Sequence, residues 1–178
     1  MRRMDSVPVA RPLLAGAVVT AILAGSLVIG VRAVRGDIPS TVSPIYGVGV
    51  PDGYRGWELI APALEGEPLD ELRAVVGNSV AIDAYRKGTR PFPDGTVLVK
   101  LAWRRVPSPD FEPASVPGRP TTVQVMVKDS KKYAATGGWG FGRFIDGKPV
   151  DKAQHETCFA CHDARVRQRD YVFTRFAP

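Results

Sequence analysis

The sequence predicts an α+β, β-rich domain, mostly antiparallel sheet with a few short helices, behind an N-terminal transmembrane helix. Three features lead there. Short runs rich in Val, Phe, Trp and Thr alternate in polarity between Pro- and Gly-bearing turns, the pattern of half-buried strands. One interior segment is punctuated as a helix at both ends. An uncharged, mainly apolar run of 19 residues, Leu13 to Val31, is about long enough to cross a bilayer.

That run is preceded by Arg2, Arg3 and Arg11 and followed by Arg32 and Arg35. It exceeds an ordinary signal-peptide core and reads as an uncleaved anchor; the alternative is a long signal peptide cut after Ala33, at Val31-Arg32-Ala33. Three basic residues before the span against two after it favour a cytoplasmic N-terminus. The expected location is therefore the bacterial inner membrane with the following domain in the periplasm, or, after cleavage, the soluble periplasm. Residues 1–36 are the anchor segment, 37–53 a linker opened by the Pro-, Ser- and Gly-containing stretch Asp37 to Pro51, and 54–178 one compact domain.

Within the domain, Trp57 to Ala63 and Leu72 to Val76 read as strands. Asn78 or Ser79 is an N-cap for a helix through Lys87, closed by Gly88. Pro93-Asp94-Gly95 is a tight turn, and Thr96 to Val106 alternates as a strand. There Val97, Val99, Leu101 and Trp103 share one face, and Leu98, Lys100 and Ala102 the other. Pro107 to Pro120 holds five prolines and reads as a loop. Thr121 to Val127 is a further strand, Asp129 to Ala135 a turn or short helix, Trp139 to Ile145 a glycine-laced strand, and Tyr171 to Phe176 a last alternating strand.

The net charge of +6 does not point to nucleic acid. Five arginines against Asp5 in the first 36 residues account for +4 of it, and the remaining basic residues are scattered among carboxylates. No stripe of Lys and Arg interleaved with aromatics is present.

Chemistry concentrates in Cys158-Phe159-Ala160-Cys161-His162, which holds both cysteines and one of the two histidines. This is C-x-x-C-H, the attachment signature of haem c. Two thiols three positions apart can each add to a vinyl group on one porphyrin edge, and the adjacent imidazole falls under the iron. Cys158 and Cys161 are thus the candidate tethers and His162 the candidate iron ligand. A thioredoxin-like dithiol would follow an early strand, a zinc site would draw a second ligand pair from far away, and a disulfide this short closes almost no loop. Small cytochromes c carry the motif early with a methionine downstream, whereas nothing after His162 is His or Met. The helical cytochromes c-prime place the motif late but lack strands.

The stretches Pro91 to Lys100, Val127 to Ala134, Gly138 to Phe141, Cys158 to His162 and Val172 to Phe176, in that order, resemble the cytochrome P-460 family and its β-sheet relatives, the cytochromes c-prime-beta. The resemblance runs from about Tyr54 to the C-terminus. It implies a β-rich domain, usually a homodimer, with one five-coordinate haem c. Some members oxidise hydroxylamine and handle nitric oxide; others bind such gases without turnover. With no convincing ligand opposite His162, a small molecule such as hydroxylamine or nitric oxide is expected at the iron, and the electrons are expected to leave through the haem to an exported redox partner protein. It also places Lys100, in F-x-D-G-T-x-x-x-K, where hydroxylamine-oxidising members join a lysine to a porphyrin meso carbon. Between Leu98 and Ala102 a free ammonium is costly if that face is buried, while on a wet face it is an ordinary strand lysine. Arg73 matches an arginine of the family's early strand and is a candidate for the distal pocket, or a surface residue.

Met126 reads as core packing rather than a sixth ligand. His155 reads as facing solvent. Trp139, Phe141 and Phe144 are candidates for the pocket wall, with Gly138, Gly140 and Gly142 allowing close backbone approach.

Overall fold

The computed structural model describes residues 41–178. Six strands pair antiparallel in chain order: β1 (Glu58–Glu65), β2 (Glu71–Gly77), β3 (Val97–Pro107), β4 (Ser115–Lys128), β5 (Trp139–Ile145) and β6 (Lys148–Pro149). Alternation buries both faces of this meander. Val99 and Leu101 enter one core cluster with Val48, Val76, Val125, Tyr133 and Phe144, whereas Leu98 enters the other with Ile60, Ile82, Trp139, Phe141 and Val172. Residues 43–50, within the stretch assigned to the linker, pack on the sheet, with Val48 buried and Tyr46 edge-on to Phe141.

Helix α1 (Ser79–Lys87) forms as its punctuation predicts. The Asn78 carboxamide oxygen accepts from the N–H of Ala81 at 3.0 Å and of Val97 at 3.1 Å, so one side chain caps the helix and fixes the start of β3. Gly88 closes the helix at φ 65°, the left-handed conformation that suits glycine. The haem-motif segment lies on α2 (Lys152–Val166), whose N-cap Asp151 accepts from Gln154 N–H at 2.8 Å.

Two expectations fail. Ser115 to Pro120, assigned to the loop, belongs to β4, with Pro117 opposite Arg105 and Pro120 opposite Trp103. The register is irregular there, and the β4–β5 pairing ends at Val123 opposite Phe144, so this end of β4 has an open edge where proline needs no partner for its missing N–H. Tyr171 to Phe176 is not a strand. Side chains take its carbonyls: Tyr85 Oη donates to Thr174 O at 3.1 Å and Arg169 Nη1 to Phe173 O at 2.9 Å.

No helix among the described residues is long and apolar enough to cross a membrane. The expected anchor, Leu13 to Val31, lies outside the described residues.

Candidate functional site

The sheet register lays out the floor of a cavity of about 400 Å³. Val75, Lys100, Gln124 and Arg143 stand opposite one another across β2 to β5, and Leu98, Met126 and Phe141 form the next row on the same face. All seven line the cavity, as do Arg73 of β2 and Glu65 at the end of β1. From α2 come Thr157, Cys158, Cys161 and His162, and from the C-terminal tail Val172, Phe173 and Thr174.

On α2, positions 158, 161 and 162 are spaced three and four residues apart, so they share a face. The Cys158 thiol donates to Gln154 O at 3.7 Å. Burial pushes this thiol above its ordinary range, and the positive Arg143 partly opposes that. His162 stands between two rings, edge-on to Phe141 at 5.0 Å and to Phe173 at 4.9 Å. Its Nδ1 lies 2.6 Å from Tyr171 O. The carbonyl can only accept, so Nδ1 carries the proton and Nε2 keeps its lone pair. Burial holds the imidazole below its ordinary pKa, with the Tyr171 carbonyl opposing and the Lys100 charge assisting. The ring is therefore neutral and ready to bind a metal.

Glu65 links the polar residues of the sheet wall. One carboxylate oxygen accepts from Arg73 Nη1 and the other from Lys100 Nζ, the latter at 2.8 Å. The Lys100 and Arg73 side chains are 18% and 23% exposed, so neither is an ordinary surface cation. Arg143 carries a buried Nε with no hydrogen-bond partner.

The structure thus places Cys158, Cys161, His162, Lys100 and Arg73 on one cavity. Met126 both packs against the core and lines the cavity. Of the three aromatic wall candidates, Phe141 lines it; Trp139 packs on Phe92 in the same core cluster, and Phe144 lies in the cluster of the opposite face. Gly142 is on the cavity wall, whereas the bare Cα of Gly140 makes room for the Tyr133 ring. His155 does not face solvent. It is fully buried, its Nε2 accepting from Arg143 N–H at 3.0 Å and its Nδ1 meeting Asp151 O at 2.9 Å. The ring takes an N–H of β5 just where β6 has run out. The sequence reading missed Glu65, because β1 extends beyond Ala63, and Arg143, for which the available signal was two-residue alternation with Phe141.

Paired thiols on one helical face, a neutral imidazole with a free Nε2 and an adjoining cavity are the donor set that haem c requires. The molecule falls in the class of c-type haem proteins built on an antiparallel sheet. Residues 51–174 match the model of the cytochrome P460 family, and the chain belongs to that family, whose members are haem-binding c-type cytochromes. No curated protein matches the chain.

Proposed function

We propose that this chain is an exported mono-haem protein that oxidises hydroxylamine, or processes nitric oxide, and passes the electrons to a redox partner. Cys158 and Cys161 would hold the haem by thioether bonds and His162 Nε2 would ligate its iron. Haem bound there would supply redox-active iron. The carrying observation is that the C-x-x-C-H face of α2 and the Glu65, Arg73 and Lys100 group of the sheet share one cavity. The mainly apolar row Leu98, Met126 and Phe141 limits water, and the charged group can donate to or accept from a small nitrogen compound. Glu65 is the side chain suited to take a proton from such a ligand, and Arg73 and Lys100 hold it in place.

A second reading is a non-catalytic nitric-oxide-binding or electron-transfer protein, in which Lys100 keeps a free ammonium in its ion pair with Glu65 at 2.8 Å. One experiment separates these readings. Protein matured with a periplasmic haem-ligation system is expected to show one haem in its intact mass, retained after acid acetone, and to reduce an acceptor when given hydroxylamine. Tryptic digestion shows whether the Lys100 segment is joined to the haem peptide. Loss of haem to acid acetone would refute the thioether assignment, and covalent haem without hydroxylamine-dependent reduction would overturn the enzyme in favour of the non-catalytic nitric-oxide-binding or electron-transfer reading.

A further inference from the structure

The carbonyl that accepts from His162 Nδ1 belongs to an unusual turn. Asp170 and Tyr171 both have positive φ, 52° and 63°. Consecutive residues with a Cβ adopt this region only where their surroundings over-determine it. Here they do so from three separate parts of the chain. Lys128, at the end of β4, donates from Nζ to Asp170 Oδ1 at 2.8 Å and to Gly137 O at 3.0 Å. Phe92 N–H donates to Asp170 Oδ2 at 2.7 Å. Trp139, at the start of β5, donates from Nε1 to Asp170 O at 2.9 Å, while the Lys128 ammonium lies 5.0 Å from the centre of the same indole. The Lys128 and Asp170 side chains are only 6% and 9% exposed.

A buried ion pair with apolar neighbours is weak evidence for stability, because desolvating both charges offsets their attraction. Its geometric effect is clearer. It fixes the backbone of Asp170, and the next carbonyl is the one that meets His162 Nδ1. We propose that Lys128 and Asp170 are positioning residues that set the orientation and donor strength of the His162 imidazole toward iron. This rests on the reading of His162 as the iron ligand. The physical link is the outer hydrogen bond of a metal-bound histidine, which fixes the tautomer and raises ligand basicity; losing such partners changes metal-site properties by about 10–100-fold. A more basic imidazole favours ferric iron, so loosening the turn favours ferrous iron.

The test uses the haem-loaded protein and the variants Asp170→Asn and Lys128→Met. Asparagine tolerates the left-handed conformation and keeps one oxygen to accept from Phe92 N–H, while its NH2 group no longer accepts from Lys128, so the ion pair is lost. Methionine keeps an unbranched apolar stem. Each variant is expected to lower the iron–histidine stretching frequency of the ferrous form. Each is also expected to shift the ferric-to-ferrous balance about tenfold toward ferrous, equivalent to about 59 mV for one electron. The double variant is expected to match the singles, because the two charges act as one unit. Val99→Ala, a core truncation on the opposite face, controls for destabilisation and is expected to leave both signals unmoved. A wild-type iron–histidine band that neither variant moves would overturn the positioning role. Shifts that add in the double variant, or that Val99→Ala reproduces, would overturn it too. Absence of that band in wild type would instead overturn His162 as the ligand.

Discussion

Replacing His155 by alanine tests whether a buried imidazole fastens the haem-motif helix to the sheet. The ring is fully buried and serves as the partner of Arg143 N–H at 3.0 Å. Without it that β5 donor loses its acceptor, at a cost of about 1–3 kcal/mol. The void left by the ring adds about 1–2 kcal/mol at the usual cost of residual cavity volume. Asp151 O loses less, since it retains the His155 backbone N–H at 3.3 Å. The sum is about 3 kcal/mol, which at a urea slope of about 2 kcal/mol per molar lowers the unfolding midpoint by about 1.5 M. Equilibrium urea unfolding followed by tryptophan fluorescence measures this directly. His155→Gln, whose amide oxygen can reach for the same N–H, is expected to recover about 1 kcal/mol. A His155→Ala midpoint within about 0.5 M of wild type, or a glutamine variant no better than alanine, would show that the ring does not fasten α2.

Two other perturbations probe the packing around the site. Burial pushes the Tyr85 phenol up to about 12, with Arg90 and then Arg169 opposing, and the group donates to Thr174 O in the tail. A folded-state value above the unfolded one means the stabilisation is complete below about pH 10 and disappears as pH rises toward 12; a rise of that size corresponds to about 3 kcal/mol. Stability of wild type should therefore fall more steeply over that range than that of Tyr85→Phe, and parallel pH profiles would contradict it. Gly140→Ala puts a methyl into the Tyr133 ring, and the cost of about 1–3 kcal/mol should lower Tm by about 5 °C. An unchanged melting curve would mean that the ring can move aside.

What the sequence discloses depends on how local the determining physics is. The haem motif is legible because its chemistry lies in five consecutive residues, and α1 because Asn78 and Gly88 punctuate it from within. Strand β5 matches the expected Trp139 to Ile145, since Trp139 and Phe141, spaced by glycines, begin a run that stays strand-like through Phe144 and Ile145. The prolines at 117 and 120 mislead because their tolerance depends on the β4–β5 pairing ending at Val123 opposite Phe144, a fact of the neighbouring strand. The tail alternates like a strand, yet its fate is decided by Tyr85 and by Arg169. His155 looks exposed on a polar helix, and only the early end of β6 gives it a buried partner. Glu65 joins Lys100 through pairings across three strands, which no local pattern encodes.

The meander pairs every strand with its neighbour in the chain, so the sheet is assembled from short loop closures and is the fast part of the molecule to form. The cavity is different in kind: it brings residues 65–143 together with residues 157–174, and α2 and the tail supply its remaining wall. That wall follows the sheet in the sequence and meets it only through non-local contacts, which cost more chain entropy to close than hairpins do. Both thiols therefore sit in the part of the site that depends on long-range docking, while the sheet face opposite them is held by neighbouring strands alone.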